Sequence, residues 1–498
     1  MTLDRSRRGR EPALNLLTTV AYVIGSILVF VAVAMVSAAI VSAVYSEFED
    51  AAWISVSAGI TAGVGFLVRR LVRRPKSITV KEGFATVGLS WFVFSIFGAL
   101  PYLLTGAIPD FTNAVFETAS GFTTTGASIL TDPGALPHGI QFWRAMTQWL
   151  GGMGVIVLGV AILPLLGTGG MQLARAEAPG PTQDRLTPRF SGTAKRLWLV
   201  YAAITGVEFL FLWLGDMSGF QALIHSATTM STGGFGTEPD SIAGFSTYTQ
   251  WVIAAFMFVA GVSFTLHFRA FSGKPGAYWR NWEFRLYGLI MIMAIVIVSG
   301  GLWQDQGPAD AIREGVFNTI SLVTTTGYAS TDFGVWRPAL QIVVVGLMFL
   351  GGMAGSTAGG IKTFRIGVLF KAAAADIRRL VHPRAVFITR FGGTRVSDPV
   401  VEAVQSFFLF YMFLFMTSTF VLTFIDANLA EGLDLVTATS AVAASIGNIG
   451  PGLGDVGPTS NYAGLPGLAK WMLSSLMIVG RLEIFPVLVL FTKDLWRR

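Results

Sequence analysis

Long apolar stretches alternate along the chain with short segments that carry most of the charge. Ten of these stretches are long enough to cross a bilayer, because a membrane-spanning helix takes roughly 20 apolar residues. The pattern therefore predicts an all-α integral membrane protein with ten transmembrane helices. The predicted spans lie near 14–45, 51–70, 83–107, 145–171, 195–215, 246–268, 284–304, 338–361, 401–425 and 471–492.

Four shorter apolar segments, with hydroxyl residues among them, lie between alternate spans. Each is too short to cross, and apolar segments of this length at membrane depth are candidates for re-entrant helices. Non-helical backbone at that depth requires surrounding protein or a water-filled cavity. The four segments lie near 112–125, 220–232, 313–326 and 434–446.

Composition supports a membrane protein and narrows its chemistry. Of the 498 residues, 53% are hydrophobic and 13% are charged, whereas soluble chains carry about 25% charged residues. The absence of cysteine excludes disulfides and thiolate metal sites, and the four histidines are scattered without metal-site spacing. Arginines precede the first apolar run, but that run is about twice too long for a signal-peptide core, so we expect a retained helix.

Basic residues set the predicted orientation. With ten spans, 30 of the 35 Lys and Arg residues lie on one face of the membrane. This bias places both termini in the cytoplasm. It also accounts for the net charge of +6 without a nucleic-acid partner. The opposite face is acidic, which either concentrates cations outside the membrane or simply forms a hydrated surface.

Each short segment ends in a turn that contains glycine. The first reads TASGFTTTGAS and the third TISLVTTTGYA, and the second and fourth, HSATTMSTGGF and TSAVAASIGNI, align with them. Another glycine follows 26, 28, 25 and 33 residues later, in the next span. A fixed order with a period of about 100 residues indicates an internal repeat. The aligned turn glycines are Gly126, Gly233, Gly327 and Gly447, and the later ones are Gly152, Gly261, Gly352 and Gly480.

Four such turns are suited to binding an alkali cation. Backbone carbonyls arranged in a ring replace the hydration shell of potassium, and glycine permits the positive φ that points successive carbonyls one way. The preceding helices direct their negative dipole ends toward the ring, and neutral oxygens suit an alkali ion better than a transition metal. The alternative is close helix packing through small residues. The predicted potassium-binding residues are Thr124, Thr125, Gly126, Ser231, Thr232, Gly233, Thr325, Thr326, Gly327, Ser445, Ile446, Gly447 and Asn448.

On these turns the chain resembles the TrkH branch of the Trk/Ktr/HKT superfamily of potassium-transport proteins. The likeness covers residues 80–498, and two additional amino-terminal helices favour this branch. It implies four channel-like units fused in one chain, each a helix, a pore helix, a filter and a second helix. Unlike the channel motif TVGYG, each turn aligns on a single glycine, and the fourth lacks the second threonine. The expected units are 1–80 (two amino-terminal helices), 81–180, 181–270, 271–395 (with a gating loop) and 396–498.

The predicted span at 338–361 contains a sequence unfit for a regular helix. Five glycines, a serine and a threonine fall within ten residues. This composition disfavours a helix and indicates an intramembrane break beside a cavity. The resemblance implies that the stretch is a gating loop beneath the filter, and a close-packed helix face is the alternative. The predicted gate residues are Gly351, Gly352, Gly355, Ser356, Thr357, Gly359 and Gly360.

Arg481 lies in the middle of a predicted span, whereas the other basic residues lie at the ends of spans or between them. A charge at membrane depth faces the protein interior or water. The resemblance implies that Arg481 projects into the conduction path near the gating loop, and the alternative is an ion pair with Glu208 or Glu483. In the other units the alignment places Met153, Val262 and Met353 at the same position.

The expected function is potassium uptake across the bacterial cytoplasmic membrane, without enzymatic activity. No G-x-S-x-G, H-E-x-x-H or Walker lysine motif occurs, although enzymes of several classes carry one, and no cofactor is expected in this chain. The alternatives are an ion-translocating pump subunit like the KdpA family, which shares this architecture, and a proton- or sodium-coupled symporter that uses Glu208 or Glu483.

The resemblance also implies partners. Members of the family form homodimers and bind a TrkA-like nucleotide-binding regulatory subunit on the cytoplasmic face. The basic segments 172–196 and 362–395 are long enough to dock such a subunit. Anionic lipid headgroups are the other expected partner for these segments, because clustered basic residues beside membrane helices attract them.

Overall fold

The chain is described from a computed structural model that covers residues 5–75, 79–162, 190–426 and 433–496, apart from 386, 388 and 393. Within these residues, six helices are long and apolar enough to cross a membrane, and eight spans result if each of two bent helix pairs counts as one. The chain is therefore a multi-pass helical membrane protein, as its sequence predicts. The helices are α1 (Arg5–Val44), α2 (Phe48–Leu71), α3 (Val80–Phe97), α4 (Leu100–Leu104), α5 (Phe111–Phe122), α6 (His138–Ile162), α7 (Phe190–Trp213), α8 (Gly219–Met230), α9 (Thr247–Ala260), α10 (Phe264–Phe271), α11 (Ala277–Arg280), α12 (Trp282–Gln306), α13 (Pro308–Val323), α14 (Pro338–Met348), α15 (Thr363–Val381), α16 (Asp398–Asp426), α17 (Leu435–Gly447), α18 (Gly467–Arg481), α19 (Phe485–Leu488) and α20 (Lys493–Trp496).

The candidate spans coincide with most of the predicted ones. The two bent pairs, α9 with α10 and α18 with the segment from Phe485, turn by 99° and 115° and fall on two further predictions. The predicted span at 338–361 is interrupted, since α14 ends at Met348, and the one at 145–171 continues past Ile162, outside the described residues. A total of ten spans therefore stays a prediction. The six continuous spans are Leu16–Val44, Phe48–Leu71, Val80–Leu104, Gly192–Trp213, Trp282–Gln306 and Asp398–Ile425.

The two amino-terminal helices form a close pair. α1 and α2 approach closely at Gly25 and Gly65, where a Cβ atom on Gly65 would lie 2.7 Å from the Gly25 carbonyl oxygen. Small residues allow membrane helices to approach in this way. α1 packs against both α3 and α6, and α3 packs against α5, so the pair is attached to the rest of the protein through α3 and α6.

Four short helices, α5, α8, α13 and α17, correspond to the predicted re-entrant segments. Polar residues fix three of their starts: the side chains of Asp110, Ser218 and Asp434 each accept a hydrogen bond from the backbone N–H three residues later. Such caps satisfy amides that the first helical turn leaves free. The third helix starts with Pro308, whose missing N–H costs nothing there.

The described residues also form two pairs of very short strands. β1 (Leu350–Gly351) and β2 (Ile361–Lys362) pair in parallel, and β3 (Arg390–Phe391) and β4 (Thr394–Arg395) pair antiparallel. The first pair joins the two ends of the segment 352–360. That segment therefore leaves α14 and returns to α15 as a closed loop.

Candidate functional site

Each of the four short helices ends in the same backbone turn. A residue in the left-handed conformation is followed two positions later by a glycine that also has positive φ. The left-handed residues have φ between 52° and 57°, and the glycines have φ between 73° and 103°. The pairs are Thr124 and Gly126, Thr232 and Gly234, Thr325 and Gly327, and Asn448 and Gly450.

Backbone hydrogen bonds establish the equivalence of the four turns. In each, the amide before the glycine donates to the carbonyl five residues earlier, at 2.9 Å in all four. The left-handed residue donates to the carbonyl three residues earlier, at 2.8–3.2 Å. This pair of bonds is the Schellman motif, which satisfies carbonyls that a helix end leaves free. The amides before the glycines belong to Thr125, Gly233, Thr326 and Ile449.

The equivalence corrects the sequence alignment. The alignment matched Gly233 and Gly447 to Gly126, whereas the backbone places Gly234 and Gly450 at that position. It is therefore wrong by one residue in the second turn and by three in the fourth. The cause is that the alignment required a hydroxyl residue ahead of the glycine, while the conformation requires only a residue that tolerates positive φ.

The correction changes the set of turn residues. Ser445 and Ile446 lie in the last turn of α17, and Asn448 occupies the left-handed position. The residues that the alignment overlooked are Ile449 and Gly450, together with Gly234 of the second turn. Asparagine is among the residues most tolerant of the left-handed region, so the Asn-x-Gly spacing at 448–450 was the signal that identifies the fourth turn.

The four turns form a closed ring. A Cβ atom built on each positive-φ glycine would come within 3.0 Å of the carbonyl oxygen that precedes the equivalent glycine in the next turn. The fourth glycine meets the carbonyl oxygen of the first turn, at 2.7 Å, which closes the circle. Glycine is required at all four positions, both for its positive φ and for this approach. The contacts run from Gly126 to Gly233, from Gly234 to Thr326, from Gly327 to Ile449 and from Gly450 to Thr125.

An open cavity borders the ring. Its lining includes Gly126, Gly234 and Gly327, together with Pro451, which follows the fourth glycine. Glu238 also lines it. The ring is thus accessible from this side of the protein.

Polar side chains hold the segments that follow the turns. The Glu117 carboxylate accepts from the Ile129 N–H at 3.0 Å and pairs with the buried Arg144 at 2.9 Å. At the equivalent place in the third turn, Asn318 accepts from the Ser330 N–H at 3.2 Å. A buried charge requires such a partner, because an unpaired one is strongly unfavourable.

The predicted break after α14 is present. Residues 352–360 are not helical, and Gly355 and Gly360 have φ of 76° and 62°. Most of this loop is nevertheless buried. The glycines therefore do not form the face of a continuous helix, which was the alternative interpretation.

The loop contacts the turns directly. The Gly359 N–H donates to Thr325 Oγ1 at 2.6 Å. The Thr357 hydroxyl donates to the Met230 carbonyl at 3.0 Å and to the Ala260 carbonyl at 3.2 Å. The loop thus lies against the third turn and against the end of α8, which precedes the second turn.

Arg481 lies against the same loop. Its side chain is 4% exposed, and Nη1 donates to the Thr357 carbonyl at 2.7 Å. Among the described residues, neither carboxylate proposed as its ion-pair partner lies within salt-bridge distance: Glu483 pairs with Arg365, and Glu208 is buried in α7. The structure therefore brings Arg481 to the loop rather than to an acidic residue.

Arg481 occupies the place of a glycine in the other units. The helices α6, α9, α14 and α18 each begin three residues before a side chain that donates to an earlier backbone carbonyl. Counting eleven residues from these donors gives Gly152, Gly261, Gly352 and Arg481. The sequence alignment, which matched Arg481 to Met153, Val262 and Met353, is wrong by one residue, because it treated Gly480 as the equivalent glycine. The four donors are Gln141, Gln250, Gln341 and Lys470.

Known proteins match the chain over most of its length. The family model described as TrkH, cation transport protein, matches residues 67–497. The Trk system potassium uptake protein TrkH of Halomonas elongata is 40% identical over 485 residues, which is 96% of this chain and 98% of that protein. The protein of the same name from Escherichia coli (strain K12) is 42% identical over 425 residues, or 84% of this chain and 86% of the other.

Solved structures give the same result. The crystal structure of the potassium transporter TrkH from Vibrio parahaemolyticus matches with a TM-score of 0.87 and 35% sequence identity, and it covers 97% of this chain and 100% of that one. These relatives are named as transporters and not as enzymes. The resemblance drawn from the turns is therefore confirmed, and the chain belongs to the TrkH family of cation transport proteins.

Proposed function

We propose that this chain conducts potassium ions into the cell across the bacterial inner membrane, along a path through the ring of four turns. The closed ring carries the proposal, since it brings four carbonyl oxygens together at buried helix ends. The names of the relatives agree, because each is called a potassium uptake protein.

The chemistry of the ring suits a large monovalent cation. The proposed ligands are the carbonyl oxygens that precede the four glycines, with the glycine carbonyls as a further layer. Carbonyl oxygens substitute for the hydration shell of potassium, and they are hard, neutral ligands. The four helices end at the ring, so their negative dipole ends favour a cation there. The first layer comprises Thr125, Gly233, Thr326 and Ile449.

The loop 352–360 is the proposed gate. Its contact with the third turn and its bond to Arg481 support a position across the path on the side opposite the open cavity. Arg481 adds a positive charge at this point. Two unit charges about 4 Å apart at an effective dielectric near 20 repel by roughly 4 kcal/mol, and water in the path lowers that value. Movement of the loop and of Arg481 would then admit the ion.

The proposed orientation has both termini in the cytoplasm, with a second copy of the chain and a TrkA-like regulatory subunit as partners. Of the two basic segments expected to dock the subunit, residues 172–189 lie outside the described residues. The other includes α15, where Phe370, Ile377 and Leu380 are exposed. An exposed apolar surface beside basic residues supports a protein partner there, with anionic lipid as the competing one.

A coupled symporter is the second candidate function. Glu208 supports it, because this carboxylate is buried at membrane depth, where ionisable residues mark functional sites by default. Glu483, the other candidate, pairs with Arg365. A role as the translocating subunit of a pump has no comparable support, since the relatives are named for the Trk system.

Ion flux into liposomes that contain only this purified chain tests the proposal. Potassium, rubidium, sodium and lithium are compared under an inside-negative potential, with and without a pH gradient. We expect potassium and rubidium to enter at similar rates, sodium and lithium more slowly, and no need for the pH gradient. Equal rates for all four ions would contradict the filter, and flux that requires a proton gradient would favour the symporter.

A further inference from the structure

Gln148 makes an unusual connection between two of the units. Its side chain lies on α6, is fully buried and contacts two residues of the second turn. Its Nε2 donates to the Gly233 carbonyl at 2.6 Å, and its Oε1 accepts from the Phe235 N–H at 3.1 Å. One amide side chain of the first unit therefore binds the backbone on both sides of Gly234.

The Gly233 carbonyl is one of the four oxygens of the ring's first layer. In the part of the chain that the structure describes, no side chain donates a hydrogen bond to the other three, those of Thr125, Thr326 and Ile449. Gln148 therefore engages a carbonyl of the first layer directly, whereas the Tyr462 hydroxyl donates to a carbonyl of the further layer, that of Gly450, at 2.8 Å. An oxygen that accepts an N–H bond has less negative potential to offer a cation, so this quarter of the ring is distinct.

The sequence shows a matching exchange at two positions. In each of the helices α6, α9, α14 and α18, a side-chain donor lies near the start, as described above. The residue seven places after that donor is glutamine in α6 and methionine in the other three helices. At the position just before the positive-φ glycine of each turn, the second turn has glycine, whereas the other three turns have threonine or isoleucine. A helix residue of one unit is paired here with the turn residue of the next unit. Glutamine is paired with glycine, and methionine is paired with threonine or isoleucine. The helix residues are Gln148, Met257, Met348 and Met477, and the turn residues are Thr125, Gly233, Thr326 and Ile449.

The limited space between positions 148 and 233 explains why glutamine is paired with glycine. A Cβ atom on Gly233 would overlap the side-chain amide carbon of Gln148. Gly233 does not have positive φ, so the backbone conformation does not require glycine at this position. Glycine is required because the Gln148 amide fills the space that a side chain would occupy. In the first and third turns, the threonine at this position instead forms a hydroxyl–hydroxyl bond of 2.8 Å to the residue two places earlier.

We propose that Gln148 is a positioning residue of the ion-binding ring and helps to determine which ion is selected. The inference rests on the proposed function, in which the ring is the potassium filter. Gln148 fixes the peptide planes on both sides of Gly234, because position 233 lacks the threonine hydroxyl that the first and third turns have there. A turn released from this clamp closes more easily around a smaller ion, so sodium should gain access when the amide is lost.

The test uses four variants in proteoliposomes, with the ratio of rubidium to sodium uptake as the readout. Gln148→Met removes both hydrogen bonds to the second turn, and the nearly isosteric Gln148→Glu replaces the N–H donor to Gly233 by a carboxyl oxygen. Gly233→Thr displaces the amide. We expect each to lower the ratio by about fivefold or more, since losing a buried hydrogen bond of this kind is worth such a factor. The double variant Gln148→Met with Gly233→Thr reproduces the pairing of the other units, and its ratio should return to within about twofold of the native ratio.

Two controls make the result decisive. Gln141→Met removes an amide from the same helix that bonds only to carbonyls near the start of α6, and its ratio should stay at the native value. Gly327→Ala tests the ring itself. A native ratio in both Gln148 variants, or a double variant no better than the worse single one, would overturn the proposal. If Gly327→Ala lowers the ratio in that case, the filter stands and only the clamp fails; if it does not, the filter fails as well.

Discussion

Gly327 gives the sharpest test of the ring, because two other glycines of the same region provide matched controls. Gly327 has φ of 80°, and a Cβ atom there would overlap the Ile449 carbonyl oxygen of the next turn. Gly307 has the same φ of 80°, but a Cβ atom there meets nothing within 4 Å. Gly346 lies in α14, where an added Cβ also meets nothing within 4 Å and φ is negative.

The expected losses of stability distinguish backbone strain from steric overlap within the ring. Gly307 has ψ of 168°, outside the left-handed helical region, and an L-residue at positive φ of either kind costs about 1–3 kcal/mol, at least about a fivefold shift in an equilibrium. Gly307→Ala and Gly327→Ala both carry this cost, whereas Gly346→Ala does not and replaces a helical glycine by a better helix former. Only Gly327→Ala must also displace the oxygen of Ile449, so it alone disturbs the ring.

The assay is rubidium and sodium uptake by the three purified variants in liposomes, together with their thermal unfolding. We expect Gly307→Ala and Gly327→Ala to lose comparable stability, and only Gly327→Ala to lose preference for rubidium. Gly346→Ala should match the native protein in both measurements. The reasoning is refuted if folded Gly327→Ala keeps the native preference, or if Gly307→Ala loses as much of it.

Three further predictions concern the gate, the symporter alternative and pH. Arg481→Ala removes both the positive charge and the hydrogen bond to the loop. A hydrogen bond to a charged group contributes about 1.5 kcal/mol or more, which corresponds to a factor of about ten, so rubidium uptake should rise by about tenfold. Arg481→Gln, which retains a donor, should raise uptake less, and lower uptake by folded Arg481→Ala protein would count against the barrier. Glu208→Gln should leave voltage-driven uptake unchanged, and loss of a proton-gradient-driven component on this substitution would favour the symporter. Burial raises the pKa of Asp216, but hydrogen bonds from Ser246 and Thr249 outweigh it and hold that pKa below the ordinary value of an aspartate. Its contribution to stability is therefore present at neutral pH and is lost as pH falls through the folded-state pKa, so the difference between the unfolding temperatures of native and Asp216→Asn protein should shrink steadily on acidification; a difference that does not change with pH would refute the assignment.

Hydropathy alone identified most of the architecture. The candidate spans and the four short helices fall where the apolar stretches predict them, because the bilayer imposes a length and a polarity on each segment independently of its neighbours. The break after α14 was predictable for a related reason. Its glycines disfavour a helix locally, whatever surrounds them.

Register at the ring was decided only by the tertiary structure. The sequence suggested a hydroxyl-x-glycine turn, and that pattern located the first and third turns. It misplaced the second and fourth, because Gly234 and Gly450 are distinguished by positive φ and by the carbonyl oxygens of neighbouring turns, which come from distant parts of the chain. The polypeptide sequence does not display such contacts.

The same distinction holds for the side chains around the ring. The sequence marked Arg481 as a charge at membrane depth, which hydropathy reveals directly. Its contact with the Thr357 carbonyl joins residues 124 positions apart, and the clamp of Gln148 on Gly233 joins residues 85 positions apart. Sequence determined which residues are available and which segments enter the membrane. Packing of those segments around a common centre determined which of them meet, because hydrogen bonds and close contacts depend on distance in space and not on separation along the chain.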